Sequence, residues 1–185
     1  MLRDRAAIDI FLQPGECYVG DADCRIRTLL GSCVSVTLWH PAMRIGAMSH
    51  FLLAERGAEG AFALDGRYGE EAMRLMLREL VRAGVDPMQC EAKIFGGGDM
   101  FPGTLRSGAL NIGRKNGEKA RRLLRGFGFR IVSESLFGIG HRQIIFDVAS
   151  GDVWARQVKL TDTHSQVISQ VKLADTDSHA TKKCA

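Results

Sequence analysis

A cysteine that follows a glycine-containing turn is the first residue of this chain that could carry covalent chemistry. Cys33 stands in the sequence Gly31-Ser32-Cys33 at the start of a β-type segment, and the glycine there lets a substrate come close to the main chain. A thiol attacks as the thiolate, so it needs a neighbouring base, and that base needs a third group that fixes its orientation. His50 is the best base that the sequence offers. A free cysteine is also often buried as a small hydrophobe, so the pattern alone leaves both interpretations open.

The segments around these two residues predict a β-hairpin. Residues 33–38 have the sequence CVSVTL, and residues 45–53 continue in the same manner after a turn at residues 40–44. An antiparallel return brings the end of the second segment beside the start of the first. His50 and Cys33 are therefore expected to be neighbours, although they are 17 positions apart.

The remaining histidines are weaker candidates for the base. We expect His40, which precedes a proline, to face solvent in the turn of the hairpin. His141 is flanked by glycine before a predicted strand, where it could line a pocket, but a loop histidine bonded to backbone is the commoner case. His164 and His179 lie in a polar C-terminal segment.

Two amphipathic helices are predicted to cover one face of a sheet. Residues 69–83 carry apolar side chains at i, i+3, i+4 and i+7, with two glutamates in the first turn and a glycine after the last apolar residue. Residues 114–126 also place apolar side chains on one face and are followed by Gly128 as a stop signal. Further strands are predicted at residues 90–95, 129–136, 143–148 and 153–158.

Composition places the chain among ordinary globular proteins. It has 185 residues, 45% of them hydrophobic and 25% charged, which suffices for one domain without disulfides or metals. No apolar run reaches the roughly 18 to 20 residues of a membrane span, so we expect a cytoplasmic protein with no membrane insertion. The five cysteines are an odd set without a CxxC pair, so neither a disulfide framework, a metal site nor a cofactor is expected.

Two motifs could have indicated other ligands. Gly96-Gly97-Gly98 follows a predicted strand, but it lacks the Lys-Ser/Thr of a P-loop and the spacing of a dinucleotide site. We expect this loop to pack against another backbone or beside the active site. Residues 114–130 hold seven basic residues and one acidic residue, yet no aromatic residue lies among the charges of the helix itself, residues 114–126. They favour a solvated face or a docking face for an acidic protein, and no nucleic acid is expected as a partner.

The chain is predicted to divide into a domain of residues 1–160 and a polar, flexible tail of residues 161–185. The sequence VKLTDT at residues 158–163 returns as VKLADT at residues 171–176. Two copies are too few for a stacked repeat architecture.

Six segments, in a fixed order, carry a family pattern. They are TLLGSCVSV (28–36), HP (40–41), GAMSHFLL (46–53), AKIFGGGDMF (92–101), NIGRKN (111–116) and IIFDVASGDV (144–153). Together they closely resemble the CheD family of chemoreceptor glutamine deamidases, over roughly residues 10–158. The resemblance implies hydrolysis of receptor glutamine side chains to glutamate, in some members also of glutamate methyl esters.

The resemblance also implies a role for each site residue. Cys33 matches the nucleophile, His50 the general base and Thr28 the third, orienting residue, although some members have one more residue between this threonine and the cysteine. Backbone N–H groups at Ser32 and Cys33 are the expected oxyanion donors, supported by Gly31. The loop at Gly97 and Gly98 is expected on the substrate side.

The fold and the partners are likewise expectations from the family. The implied fold is α+β, with two packed mixed sheets and helices on one side, similar to the catalytic domain of cytotoxic necrotising factor toxins. Chemotaxis receptors are the implied partners, with a CheC-type phosphatase in some organisms. The alternative function is a non-catalytic adaptor of the same fold that binds and regulates such a phosphatase.

Overall fold

The structure, a computed structural model, describes residues 7–57, 63–101 and 112–158 and the backbone of residues 183–184. In these residues the chain forms ten strands and two α-helices. Their order is β1 (Ile8–Phe11), β2 (Cys17–Gly20), β3 (Cys24–Leu30), β4 (Val34–His40), β5 (Ile45–Ser49), α1 (Gly69–Arg82), β6 (Glu91–Gly96), α2 (Ile112–Gly126), β7 (Ile131–Leu136), β8 (His141–Asp147), β9 (Val153–Val158) and β10 (Lys183–Cys184). A short 3-10 helix, Pro87–Gln89, precedes β6.

The strands form two mixed sheets. The six-stranded sheet has the order β10-β2-β5-β4-β6-β7, and the four-stranded sheet has the order β1-β3-β8-β9. The pairs β1–β3 and β6–β7 are parallel, and the other pairs are antiparallel. β3 and β4 follow each other in sequence but belong to different sheets, so the turn between them connects the two sheets.

Two buried layers hold the elements together. The helix-side core lies between α1, α2 and the six-stranded sheet and includes Val34, Val36, Leu38, Phe51, Met76, Leu80, Ile94 and Leu124. The inter-sheet core lies between the two sheets and includes Leu12, Ile26, Leu30, Met48, Phe95, Ile144 and Phe146. The molecule therefore has three layers, and the predicted α+β arrangement with helices on one side is confirmed.

β4 contributes to both layers because successive side chains of a strand point to opposite faces. Val34, Val36 and Leu38 face the helices, whereas Ser35 and Thr37 face the four-stranded sheet. All five are buried, which explains why this strand is rich in β-branched residues instead of alternating between apolar and charged.

The predicted elements correspond closely to those of the structure. Both helices are present, as are the hairpin of β4 and β5 and the four later strands (β6 to β9). β1, β2 and β3 were not individually predicted, and the first two are only four residues long. The expectation that His40 faces solvent is wrong: it ends β4, is buried, and accepts a hydrogen bond from Met43 N–H through Nδ1 at 3.2 Å.

Three further expectations from the sequence stay predictions: the domain boundary, the flexible tail and the similarity to the toxin domain. Residues 159–182 lie outside the described residues, so the boundary at residue 160 and the flexible tail stay predictions. The backbone of Lys183–Cys184 pairs with β2 in an antiparallel manner. The similarity to the toxin catalytic domain also stays a prediction. In the described part of the chain, no helix is long and apolar enough to cross a membrane.

Candidate active site

The turn that carries Cys33 lies at one end of the packed sheets. Residues 31–33 join the last residue of β3, Leu30, to the first residue of β4, Val34. Cys33 is partly exposed and packs against the edge of the inter-sheet core. Three other cysteines are buried (Cys17, Cys24 and Cys90). Cys33 is therefore more accessible to a substrate than these three.

His50 lies beside this turn because the β4–β5 hairpin continues past the end of β5. Val34 and Phe51 form an antiparallel bridge, in which Val34 N–H donates to Phe51 O at 3.1 Å and Phe51 N–H donates to Val34 O at 3.0 Å. Cys33 and His50 each adjoin one residue of this bridge. Both side chains point to the face opposite Val34 and Phe51, towards the four-stranded sheet. Because the pairing is antiparallel, Cys33 and His50 lie diagonally across this bridge on one face, so the hairpin places them near each other as the sequence predicts.

Thr28, on β3 of the facing sheet, holds the imidazole of His50. Thr28 Oγ1 lies 2.8 Å from Leu12 O and 2.8 Å from His50 Nδ1. The single hydroxyl hydrogen is donated to the Leu12 carbonyl, which can only accept, so the threonine oxygen accepts from His50 Nδ1–H. The neutral imidazole therefore carries its hydrogen on Nδ1 and has its lone pair on Nε2. The shorter spacing between Thr28 and Cys33 does not prevent this contact.

The lone pair on His50 Nε2 is buried and accepts no hydrogen bond from the described residues. His50 is 3% exposed, and its Nε2 is buried without a hydrogen-bond partner among the described residues. Burial lowers the pKa of His50 below its usual 6.5, so the ring is neutral at pH 7. Burial raises the pKa of the Cys33 thiol above its usual 9.0, and its own backbone N–H offsets part of that effect. The resting pair is a neutral thiol and a neutral imidazole.

The glycine loop after β6 packs directly against the Cys33 turn. Gly98 N–H donates to Gly31 O at 2.9 Å, and Gly97 N–H donates to Cys33 O at 2.8 Å. Gly96 has a φ of +114°, and a Cβ atom there would overlap Cys33 O, so only glycine fits. The expected close backbone contact of this loop is therefore present, and its two hydrogen bonds hold the turn.

A buried arginine donates a hydrogen bond to the glycine loop. Arg142, on β8, is 3% exposed and donates to Gly96 O at 2.9 Å and to Phe137 O. Its guanidinium has no carboxylate within salt-bridge distance among the described residues, and burial lowers its pKa. The cation is instead satisfied by carbonyl oxygens and by Gln157 Oε1 at 3.4 Å. Gly96 O also accepts from Phe137 N–H at 2.9 Å, so removal of Arg142 would take away one of the two donors to Gly96 O and the side-chain donor to Phe137 O.

Comparison with known proteins gives one family. A sequence model described as "CheD chemotactic sensory transduction" matches residues 52–157. "Probable chemoreceptor glutamine deamidase CheD 2" of Albidiferax ferrireducens is 64% identical over 166 residues, which are 89% of this chain and 96% of the relative. The chain belongs to the CheD family. "Probable chemoreceptor glutamine deamidase CheD 1" of Chromobacterium violaceum is 43% identical over 148 residues, 80% of this chain and 77% of that CheD protein.

Membership of the CheD family does not by itself assign the site residues. The family match begins at residue 52, after Thr28, Cys33 and His50, so their roles stay a prediction that the geometry supports. The described part of the chain holds no group of three or more His, Cys, Asp or Glu residues that could bind a metal.

Two buried polar residues near the site were not predicted as functional. Arg142 precedes a stretch that looks like an ordinary strand, and its contacts come from distant parts of the chain. Asn116 lies in the CheD segment NIGRKN and shares the buried face of α2 with Gly113, Ala120 and Leu124. A polar side chain on the apolar face of an amphipathic helix is a signal that the sequence did contain.

Proposed function

We propose that this CheD family member is a cysteine hydrolase that deamidates glutamine side chains of chemoreceptors in the cytoplasm. The observation that carries the proposal is the hydrogen bond from His50 Nδ1 to Thr28, which leaves a buried, unpartnered Nε2 on the same face of the hairpin as Cys33. The substrate class is taken from the relatives, which are named chemoreceptor glutamine deamidases. The enzyme class is protein-glutamine glutaminase, which acts on a linear amide.

Acylation begins from the neutral pair. As Cys33 Sγ attacks the carboxamide carbon, His50 Nε2 accepts the thiol proton, so no free thiolate has to be stored in a buried site. The structure forms no hydrogen bond between these two atoms, and such contacts often tighten only when the substrate is bound. The imidazolium then gives its proton to the departing nitrogen. The C–N bond breaks, ammonia leaves and a thioester remains.

Deacylation returns the enzyme to its starting state. Neutral His50 accepts a proton from water as the water attacks the thioester, and the imidazolium then protonates the departing sulfur. One water is consumed, and glutamate and ammonia are produced. The same sequence of steps hydrolyses a glutamate methyl ester, with methanol leaving in place of ammonia, and we include this activity in the proposal.

The oxyanion of each tetrahedral intermediate needs donors beside Cys33. The carbonyls of Gly31 and Ser32 are bound by Gly98 N–H and by the amide of Asn116. In a trans peptide the N–H points away from the C=O, so the N–H groups of Ser32 and Cys33 point away from those two donors. In the proposed mechanism these two N–H groups donate hydrogen bonds to the oxyanion. Contact of Gly97 and Gly98 with the substrate stays a prediction.

Ammonia release from a purified cytoplasmic receptor fragment tests the function. We expect the wild-type protein to release ammonia and to convert specific glutamines to glutamate, detected by mass spectrometry of receptor peptides. The Cys33→Ala protein should bind the fragment without releasing ammonia. Binding without ammonia release by the wild type would favour the adaptor function, and a CheC-type phosphatase would then be the partner to test.

A further inference from the structure

We propose that Asn116 is a positioning residue of this site, whose side-chain amide holds the Ser32–Cys33 peptide so that the Cys33 N–H points at the reacting carbonyl. The proposal rests on the deamidase function proposed above. It concerns a residue whose amide hydrogen-bonds to the main chain next to Cys33 and close to His50, at Ser32 and Leu52, and not to the thiol or the imidazole.

The first turn of α2 brings Asn116 to the site by close backbone packing. A Cβ atom at Gly113 would overlap Gly98 O, so the helix starts in direct contact with the glycine loop. Gly117 is similarly close to the ring of Phe137. Asn116 lies on the same face of the helix and is 3% exposed. The helix thus inserts an amide between the segments that carry Cys33 and His50.

Both hydrogens of the amide are used. Asn116 Nδ2 donates to Ser32 O at 3.1 Å and to Leu52 O at 2.7 Å. Both partners are carbonyls, which only accept, so the NH₂ group must face them and the orientation of the amide is fixed. Ser32 immediately precedes Cys33, and Leu52 is two residues beyond His50. One side chain therefore links the nucleophile turn to the strand of the base.

The bond to Ser32 determines where the Cys33 N–H points. The Ser32 carbonyl and the Cys33 N–H belong to one planar peptide, so fixing the first fixes the second. The neighbouring Gly31 and Cys33 carbonyls are held by the glycine loop, so the Ser32 peptide is the part of the turn that depends on Asn116 alone. Without the amide this peptide can rotate. The Cys33 N–H then no longer points at the developing oxyanion.

Two substitutions separate positioning from packing. Asn116→Ala removes both donors, and Asn116→Asp keeps the shape but places carboxylate oxygens against two carbonyls. We expect kcat on the receptor fragment to fall roughly 10- to 100-fold for Asn116→Ala and further for Asn116→Asp, with KM within about threefold of wild type. Ala120→Gly is the matched control, because it weakens the same buried face of α2 without contacting the turn.

Alkylation of Cys33 supplies a readout that a merely structural role would not produce. Iodoacetamide reacts without forming an oxyanion, so its rate with Cys33 should stay within about threefold in Asn116→Ala while kcat falls. Ala120→Gly should lower Tm and leave both rates unchanged. Equal Tm losses with unchanged kcat in all the variants would overturn the proposal. A parallel fall of kcat and alkylation would also overturn it, since the thiol itself would then be disturbed. An inactive wild-type protein would instead refute the proposed function, and this inference with it.

Discussion

The two buried layers of this protein differ in whether their buried polar side chains all have hydrogen-bond partners. In the helix-side core, the buried polar side chains are bonded: Ser49 Oγ accepts from Val36 N–H, and Asn116 donates to two carbonyls. In the inter-sheet layer, Ser35 Oγ, Thr37 Oγ1 and His50 Nε2 are buried without a partner among the described residues. The inter-sheet layer also holds bonded polar groups, Thr28 and Arg142, but of the two layers it is the one with unsatisfied groups among the described residues.

Under the proposed mechanism, this difference separates the layer that carries the chemistry from the layer that carries the stability. A buried polar atom without a partner costs about 1–3 kcal/mol, so a fold that keeps one needs a reason for it. For His50 the proposed mechanism gives a reason, because a lone pair already bonded to another group cannot accept the thiol proton. We therefore expect substitutions in the inter-sheet layer to affect activity first and substitutions in the helix-side core, apart from Asn116, to affect stability first.

The largest effect is expected at the two reacting groups. Cys33→Ala and His50→Ala should each lower kcat by at least about 10³-fold, because each removes a group that forms or breaks bonds. The fold should persist, because neither change removes a large core volume. Ammonia release and circular dichroism measure the two properties on the same samples.

Two kinds of control sharpen that result. Leu80→Ala, in the helix-side core, should lower the free energy of unfolding by about 2–5 kcal/mol and leave kcat unchanged below its Tm. Cys17→Ala and Cys90→Ala should be nearly silent in activity. Loss of activity in all the cysteine variants, with normal circular dichroism, would mean that the nucleophile is not Cys33.

The next effect in size is expected at Thr28. Thr28→Val keeps the shape of the side chain but removes the acceptor for His50 Nδ1–H, so the imidazole is no longer held in the tautomer with its lone pair on Nε2. We expect kcat to fall about 10- to 100-fold, a part of what a general base contributes. Thr28→Ser keeps the hydroxyl and should retain most of the activity. Equal activity of Thr28→Val and wild type would remove Thr28 from the site.

The sequence predicts this site unevenly because its parts are connected over different distances. Cys33 and His50 are joined by one hairpin, whose strand periodicity and turn are visible locally, so their proximity follows from the residues. Thr28 is joined to His50 across two sheets, and only a family resemblance indicated it. Asn116 and Arg142 act on carbonyls far away in the chain, and periodicity cannot predict such a pairing.

The fold shows the same division. The helices and the later strands have enough turns or alternating residues to be predicted from their own sequences. β1 and β2 are four-residue strands that gain their stability from neighbours, since Ile8–Phe11 pairs with β3 and Cys17–Gly20 pairs with β5. No local pattern of that length distinguishes a strand from a loop.

The pH dependence of the site tests the neutral resting pair. His50 must be unprotonated to act as a base, and burial lowers its pKa below 6.5. kcat/KM should therefore stay flat as the pH falls to 6.5 and decline only below it. Because burial raises the pKa of Cys33 above 9.0, its alkylation rate should keep rising with pH up to that range. The rates are measured by peptide mapping after timed iodoacetamide labelling.

The same labelling compares the cysteines with each other. Cys33 should react before Cys17, Cys24 and Cys90, because those three are buried. An alkylation rate of Cys33 that is already constant below pH 6.5 would contradict the neutral pair and indicate a preformed thiolate and imidazolium.

The smallest effect is expected from the basic face of α2. Three of its cations are bound to carboxylates within the protein: Arg114 to Glu118, Lys119 to Glu55 and Arg121 to Glu134. Arg121 binds Glu134 of β7 and lies 5.1 Å from the centroid of the Phe137 ring, so reversing its charge would disturb these contacts as well as the surface field. Arg122 and Arg125 are exposed and form no salt bridge within the described residues. They are the residues that test attraction of an acidic receptor without disturbing the fold.

The double variant Arg122→Glu/Arg125→Glu should lower kcat/KM on a receptor fragment by about 3- to 10-fold at low salt, because charge complementarity mainly speeds encounter. The reduction should disappear as salt is added, and kcat should not change. The control Arg44→Glu/Arg156→Glu makes the same change in net charge at two exposed arginines that form no salt bridge within the described residues. It should have a smaller effect if the field of α2 guides the receptor. A short glutamine peptide should react slowly, and equally with the wild type and with the Arg122→Glu/Arg125→Glu variant. Wild-type kinetics that do not respond to salt would exclude electrostatic guidance and leave the assignment of Cys33 and His50 unaffected.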